Sequence, residues 1–115
     1  MLTISTVTSA SALANDKACY VYIYGSEDAT NYNASSAEAV GTDVAVTIGA
    51  PTNMKGPYVL FCPAVSVTYR LVIGSIASLF GGVMPRKWGY VLRNYTGQNL
   101  GTSSSTYTGI TYTNA

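Results

Sequence analysis

The sequence predicts an all-β protein, a single-domain antiparallel β-sandwich or jelly roll with extended termini. Three observations lead to this prediction. Short runs alternate between apolar and polar residues, breaks rich in Gly, Pro, Asn and Ser separate these runs, and few segments have helical periodicity. Of the 115 residues, 48% are hydrophobic and 10% are charged, which is typical of a folded chain with largely uncharged surfaces.

The predicted elements follow in order along the chain. Residues 1–15, rich in Ser and Thr, form either an N-terminal arm or the first strand. In the next run, KACYVYIYG at 17–25, one strand face carries Tyr20, Tyr22 and Tyr24, and the other carries Cys19, Val21 and Ile23. Further strands are predicted at 43–48, 57–62, 65–73, 88–93 and 105–112, and helical turns at 34–40 and 75–80.

Several of these segments carry a more detailed expectation. The run PYVLFC at 57–62, bounded by two prolines, is predicted to be a buried strand. The run at 65–73 is predicted to be one strand whose odd-numbered residues share a face. Residues 103–115 are expected to form a C-terminal strand or arm, and the whole chain, 1–115, to form one domain.

The charges are divided unevenly between the two halves of the chain. Residues 1–50 contain five acids and one base, whereas residues 51–115 contain five bases and no acid. If the halves interleave in the fold, these charges cancel, and we favour this interpretation. If the halves separate, the molecule has an acidic end and a basic end that suit docking onto oriented neighbours.

The residues needed for common enzymatic chemistry are missing. The chain has no histidine, so it lacks the most frequent general base and metal ligand. Cys19 and Cys62 lie in apolar runs, where free thiols act as small hydrophobes, and they do not make a zinc site. A single disulfide between them is the weaker alternative. A calcium site at Asp28, Asn31 and Asn33 is a weaker alternative to a turn stabilised by these side chains. We expect no enzyme activity, no cofactor and no bound metal.

Membrane and nucleic-acid partners are not expected either. The N-terminus lacks the basic flank and continuous apolar run of a signal peptide. The longest apolar stretch contains Pro63 and Arg70, which argues against a membrane span. The segment PRKWGYVLR at 85–93 mixes bases with Trp88 and Tyr90, but its charge is weak for nucleic acid. We therefore predict that Trp88 and Tyr90 are core or interface aromatics.

Tyrosine is unusually frequent, with ten residues against two phenylalanines. A tyrosine ring is apolar but its hydroxyl needs a partner, so tyrosine suits surfaces that become buried on assembly. We therefore predict that Tyr20, Tyr22 and Tyr24 lie at a subunit interface. The alternative is a surface strand whose rings lie over neighbouring side chains.

The C-terminal half resembles a group of known proteins. The matching residues are Phe80, Gly81, Gly82, Pro85, Arg86, Trp88, Gly89, Val91, Asn94, Thr96 and Gly97. They follow the arrangement FGG…P-[RK]-x-WG-x-V-x-x-N-x-[ST]-G, which resembles small virion proteins of tailed bacteriophages and there precedes a short C-terminal strand. A hairpin turn is expected at 94–97, with Gly97 at positive φ.

The resemblance implies a structural role in the virion. Capsid cement or decoration proteins of this size are commonly β-sandwiches or jelly rolls on the outer surface of the capsid. They are often trimers that clamp adjacent subunits of the major capsid protein. The expected partners are therefore the major capsid protein and copies of this chain, and the chain would be made in the host cytoplasm. Alternatives are a neck or tail-tube component, or a carbohydrate-binding or adhesive β-domain.

Overall fold

The computed structural model of the protein describes residues 1–14, 16–26 and 53–108. In these residues the elements are, in order, β1 Leu2–Val7, β2 Ala18–Ser26, β3 Lys55–Phe61, β4 Thr68–Ile73, α1 Ile76–Leu79, β5 Lys87–Tyr95 and β6 Ser103–Tyr107. The segments predicted at 34–40 and 43–48, the candidate calcium loop and the last residues of the C-terminal strand or arm lie outside the described residues.

The described strands form two antiparallel sheets of three strands each. The first sheet has the order β4-β1-β6 and the second the order β3-β2-β5. One four-residue helix is the sole helical element in the described ranges. The all-β antiparallel fold predicted from the sequence is therefore confirmed, while the connectivity of a jelly roll stays a prediction.

The main core lies between the two sheets. Its buried members come from β1 and β4 of the first sheet, from β2 of the second sheet and from α1, and they are Leu2, Ile4, Val21, Ile23, Ile73 and Ile76. Strand β1 alternates strictly between buried and half-buried positions, which is the pattern of a strand with one face on a core. Each fully buried aliphatic side chain of this kind contributes roughly 1.5–3 kcal/mol to stability. The arrangement is that of a β-sandwich.

The helical turn predicted at 75–80 is confirmed by α1. Ser75 precedes the helix with extended backbone angles, and its hydroxyl accepts a hydrogen bond from the amide of Ser78 at 3.3 Å. This is the usual N-cap interaction, which satisfies one of the free amides of the first turn. Ile76 then directs the helix onto the core, where it is 2% exposed.

The prediction of a buried strand at 57–62 is wrong in one respect. A strand is present, but among the described strands β3 lies at the edge of the second sheet, and Leu60 is its one buried residue. Lys55 and Pro57 are compatible with this edge position, since a cation and a residue without an amide hydrogen are tolerated at sheet edges. Apolar content alone predicts burial on both faces, because it does not reveal the position of a strand in its sheet.

The strand predicted at 65–73 begins later than expected. Residues 64–67 form a turn in which Ser66 has a φ of +53°, so β4 starts at Thr68. The Thr8 hydroxyl lies 2.7 Å from the carbonyl of Ala64 and accepts a hydrogen bond from the amide of Val67 at 3.0 Å. These bonds fix the turn to the end of β1 and leave Val67 exposed.

The turn after β5 has the predicted glycine conformation but not the predicted topology. Gly97 has a φ of +77°, as expected. The Asn94 carboxamide oxygen accepts hydrogen bonds from the amide and hydroxyl of Thr96, at 3.0 and 2.7 Å. However, β5 belongs to the second sheet and β6 to the first, so the chain crosses between sheets and does not form a hairpin. The motif residues Asn94, Thr96 and Gly97 therefore shape a crossing turn.

Candidate contact surface

The candidate functional surface is the outer face of the second sheet, which faces away from the main core. On β2 this face carries the three tyrosines, because Val21 and Ile23 point inward. The register pairs Tyr20 with Val59 on one side and Arg93 on the other, and it pairs Tyr24 with Gly89. Residues from three strands therefore share this face.

One half of the outer face is closed within the chain. Tyr22 and Tyr24 are each 9% exposed, and they pack with Met54 and Val91 in a cluster of their own. Little of either ring is therefore left for contact with another subunit. The predicted interface role of Tyr22 and Tyr24 stays a prediction, and the described contacts favour the alternative of rings lying over neighbouring residues.

The other half of the outer face is open, and we call it the open half. It consists of Tyr20, Val59, Phe61, Arg93 and Tyr95, arranged around the fully buried Ala18. Phe61 is 69% exposed and Val59 is 39% exposed, although both belong to a regular strand. The open half is therefore a semi-apolar surface on rigid backbone. Of the three predicted tyrosines, Tyr20 is the one that belongs to it.

The polar groups of the open half hold its rings in place. Tyr20 donates a hydrogen bond from its hydroxyl to the Asp16 carboxylate at 2.7 Å, and this interaction raises the pKa of the Tyr20 phenol. The rings of Tyr20 and Tyr95 meet edge to face, with centroids 5.8 Å apart. The Arg93 guanidinium lies 4.9 Å from the Tyr95 ring centroid, which is the geometry of a cation–π contact.

The aromatic residues predicted as core or interface groups on β5 lie on its inner face. Trp88 and Tyr90 are half-buried, and together with Leu92 they pack against the main core. Trp88 also meets Tyr107 edge to face, with ring centroids 5.0 Å apart. Because Trp88 belongs to the second sheet and Tyr107 to the first, this contact joins the two sheets.

Sequence reasoning missed two exposed members of the open half, both of which lie on β3. The sequence predicts a buried strand for Val59 and Phe61 because the run around them is apolar throughout. The signal that could have found them is the pair Lys55 and Pro57, which marks an edge strand. Exposed apolar side chains on an edge strand often belong to a contact surface.

The described residues contain no group of three or more His, Cys, Asp or Glu side chains that could hold a metal ion. In the same ranges, no helix has the length and hydrophobicity needed to cross a membrane. Cys19 and Cys62 are both buried and both free, as the sequence predicted. The open half consists of apolar groups, phenols and one guanidinium. Side chains of these kinds are suited to a protein–protein interface.

Comparison of the chain with protein-family models, with curated protein sequences and with solved structures finds no match.

Proposed function

We propose that this chain is a non-enzymatic structural protein of a virion, a capsid cement or decoration protein of a tailed bacteriophage. In this role it binds on the outer surface of the capsid, across neighbouring subunits of the major capsid protein, and associates with copies of itself as a trimer. It stabilises the shell by adding contact area across subunit boundaries. Two lines of support meet here, namely the resemblance at residues 74–110 and the open half of the second sheet.

The single observation that carries the proposal is the exposure of Phe61. A phenylalanine that is 69% exposed in a regular strand, beside the exposed Val59, leaves apolar area in water unless a partner covers it. Aromatic side chains are also the residues that contribute most at the centres of protein interfaces. The face is held by three hydrogen-bonded strands, so little ordering of the backbone is needed on binding.

The geometry gives less support to a carbohydrate-binding domain. Sugar rings stack on the exposed face of an aromatic ring, whereas Tyr20 and Tyr95 meet at 76° and do not form a common platform. One face of the Tyr95 ring is also occupied by Arg93. A neck or tail-tube component would use the same kind of apolar face. It would be distinguished from a cement protein by the number of subunits in the oligomer that it forms.

The experiment that tests the proposal is the native mass of the purified protein, followed by binding to assembled shells of the major capsid protein from the same phage. We expect a trimer of the 12.1 kDa chain that sediments with the shells and raises their resistance to heat. A ring of six or twelve chains would assign the protein to the neck or tail instead. A monomer that does not bind shells would overturn the proposal.

Two matched valines locate the contact. Val59→Ser removes apolar area from the open half, whereas Val72→Ser removes the same group from the other sheet, where Val72 is 55% exposed. We expect Val59→Ser and Phe61→Ser to weaken assembly or shell binding, and Val72→Ser to leave both unchanged. Equal effects of Val59→Ser and Val72→Ser would show that the open half is not the contact surface.

A further inference from the structure

Two buried thiols meet beside the second sheet, and neither belongs to the surface described above. Cys19 lies on β2 with Leu60 of β3 opposite, and Cys62 follows directly after β3. The Cys62 amide donates a hydrogen bond to the carbonyl of Lys17 at 2.8 Å, which continues the β2–β3 pairing by one step. Cys19 and Cys62 are therefore diagonal cross-strand neighbours on the inner face of the sheet.

The thiols belong to one buried cluster and are closed off from water. Both cysteines are 0% exposed, and they form a small cluster with Leu60. The half-buried side chains around this cluster are Tyr69, Leu71, Leu92 and Leu100. The Cys62 thiol donates a hydrogen bond to the carbonyl of Leu60 at 3.5 Å. Cys62 also lies close enough to Cys19 to contribute, after burial, to the raised pKa of the Cys19 thiol. Diagonal neighbours in an antiparallel pair are typically about 7–8 Å apart, at the upper limit of disulfide geometry, so closing the bond requires side-chain rotation and a small approach of the two strands.

We propose that Cys19 and Cys62 are a redox-closable pair that forms an intramolecular disulfide by exchange with a low-molecular-weight disulfide of the glutathione type. One cysteine loses its proton, and its thiolate attacks a sulfur of the glutathione disulfide, which releases one glutathione thiolate. The thiolate of the second cysteine then displaces the other glutathione from the mixed disulfide. Two protein thiols are oxidised to one disulfide, one glutathione disulfide is reduced to two thiols, and the two departing thiolates take up the two protons.

Burial determines when this reaction proceeds. Thiol–disulfide exchange needs an accessible thiolate, and desolvation by burial raises the pKa of both thiols, that of Cys19 to about 12. Exchange in the folded protein is therefore slow and requires local opening. The pair stays reduced in a reducing cytoplasm and closes during prolonged exposure to oxidising surroundings, or during folding under oxidising conditions. The disulfide then ties β2 to the end of β3.

The experiment follows the covalent state of the whole chain. The folded protein, and in parallel protein refolded from denaturant, is incubated with oxidised glutathione. Each sample is then denatured and alkylated with iodoacetamide, and its mass is measured by mass spectrometry. We expect the loss of two hydrogen atoms per chain, with neither alkylation nor glutathione adducts. After trypsin digestion, peptides 18–55 and 56–70 should remain linked until a reductant is added. The melting temperature should rise by on the order of 10 °C and return on reduction.

Single variants supply the matched controls. Cys19→Ala and Cys62→Ala each leave one thiol, which is expected to remain free or to carry one glutathione. Closure in the refolded sample alone supports the proposal, since burial predicts slow exchange in the folded state. Stable glutathione adducts on both cysteines, or two alkylated cysteines in both samples, would overturn it. If either variant fails to fold, the peptide map of the wild-type chain alone shows whether Cys19 and Cys62 have formed a disulfide.

Discussion

The ring of Tyr24 on β2 lies directly against Gly89, its cross-strand partner on β5. A Cβ atom on Gly89 would stand 2.5 Å from the Tyr24 hydroxyl oxygen and 2.6 Å from the Tyr24 Cζ, closer than non-bonded atoms approach one another. The missing side chain at Gly89 therefore makes room for the ring on the sheet. In this position Tyr24 packs beside Tyr22 and Val91 in the closed half of the outer face.

Gly89→Ala is expected to destabilise the protein by about 1–3 kcal/mol, because the added methyl group forces the Tyr24 ring off the sheet. The measurement is the free energy of unfolding in urea. Gly74→Ala is the matched control, since a Cβ atom at Gly74 meets nothing within 4 Å, and we expect its effect to be below about 0.5 kcal/mol. Equal losses in the two variants would contradict the close contact.

Trp88→Ala is expected to cost about 2–3 kcal/mol, less than for a fully buried tryptophan because Trp88 is half-buried. Part of this loss should depend on Tyr107, whose ring it meets edge to face. A double-mutant cycle with Tyr107→Ala measures that part, and we expect a coupling of about 0.5–1.5 kcal/mol. Strictly additive losses would show that this contact between the sheets does not contribute to stability.

The faces of individual strands could be predicted from the sequence, whereas the pairing of strands could not. Alternation alone placed Val21 and Ile23 on a core face, and both are fully buried. Alternation is a local property and is silent about partners that lie far away along the chain. From the sequence, the two strands on either side of Gly97, β5 and β6, are consequently predicted to form a hairpin. In the structure β6 pairs with β1 and β5 pairs with β2.

The same limit applies to the candidate contact surface. The sequence placed three tyrosines on one face but could not show that they have different neighbours. Tyr24 lies against Gly89 of β5 and is covered, whereas Tyr20 lies between Val59 and Arg93 and remains partly open. The division of the tyrosine face into a closed and an open half follows from this register, which tertiary contacts determine.

Asp16→Asn is expected to lower the pKa of the Tyr20 phenol towards its ordinary value. The Asp16 carboxylate accepts a hydrogen bond from the Tyr20 hydroxyl at 2.7 Å and disfavours the tyrosinate, first through this hydrogen bond and further through its charge. The measurement is an ultraviolet titration of tyrosinate absorbance, in which Tyr20→Phe identifies the contribution of this residue. An identical titration of Tyr20 with and without the Asp16 carboxylate would contradict the interaction.

The free energy of unfolding is expected to fall as the pH rises from about 9 to about 12, in part because of Cys19. Burial and the neighbouring Cys62 raise the pKa of the Cys19 thiol from 9.0 to about 12, so the folded state keeps a proton that the unfolded chain releases in this range. The stabilising contribution of the neutral thiol is thus complete below pH 9 and is lost as the pH increases. The measurement is urea unfolding under reducing conditions. Between pH 9 and 12 the free energy of unfolding of Cys19→Ala should fall less steeply than that of the wild-type chain, by up to about 1.4 kcal/mol per pH unit. Parallel pH profiles of the two proteins would mean that the Cys19 thiol ionises as readily in the folded state as in the unfolded chain, contrary to its full burial.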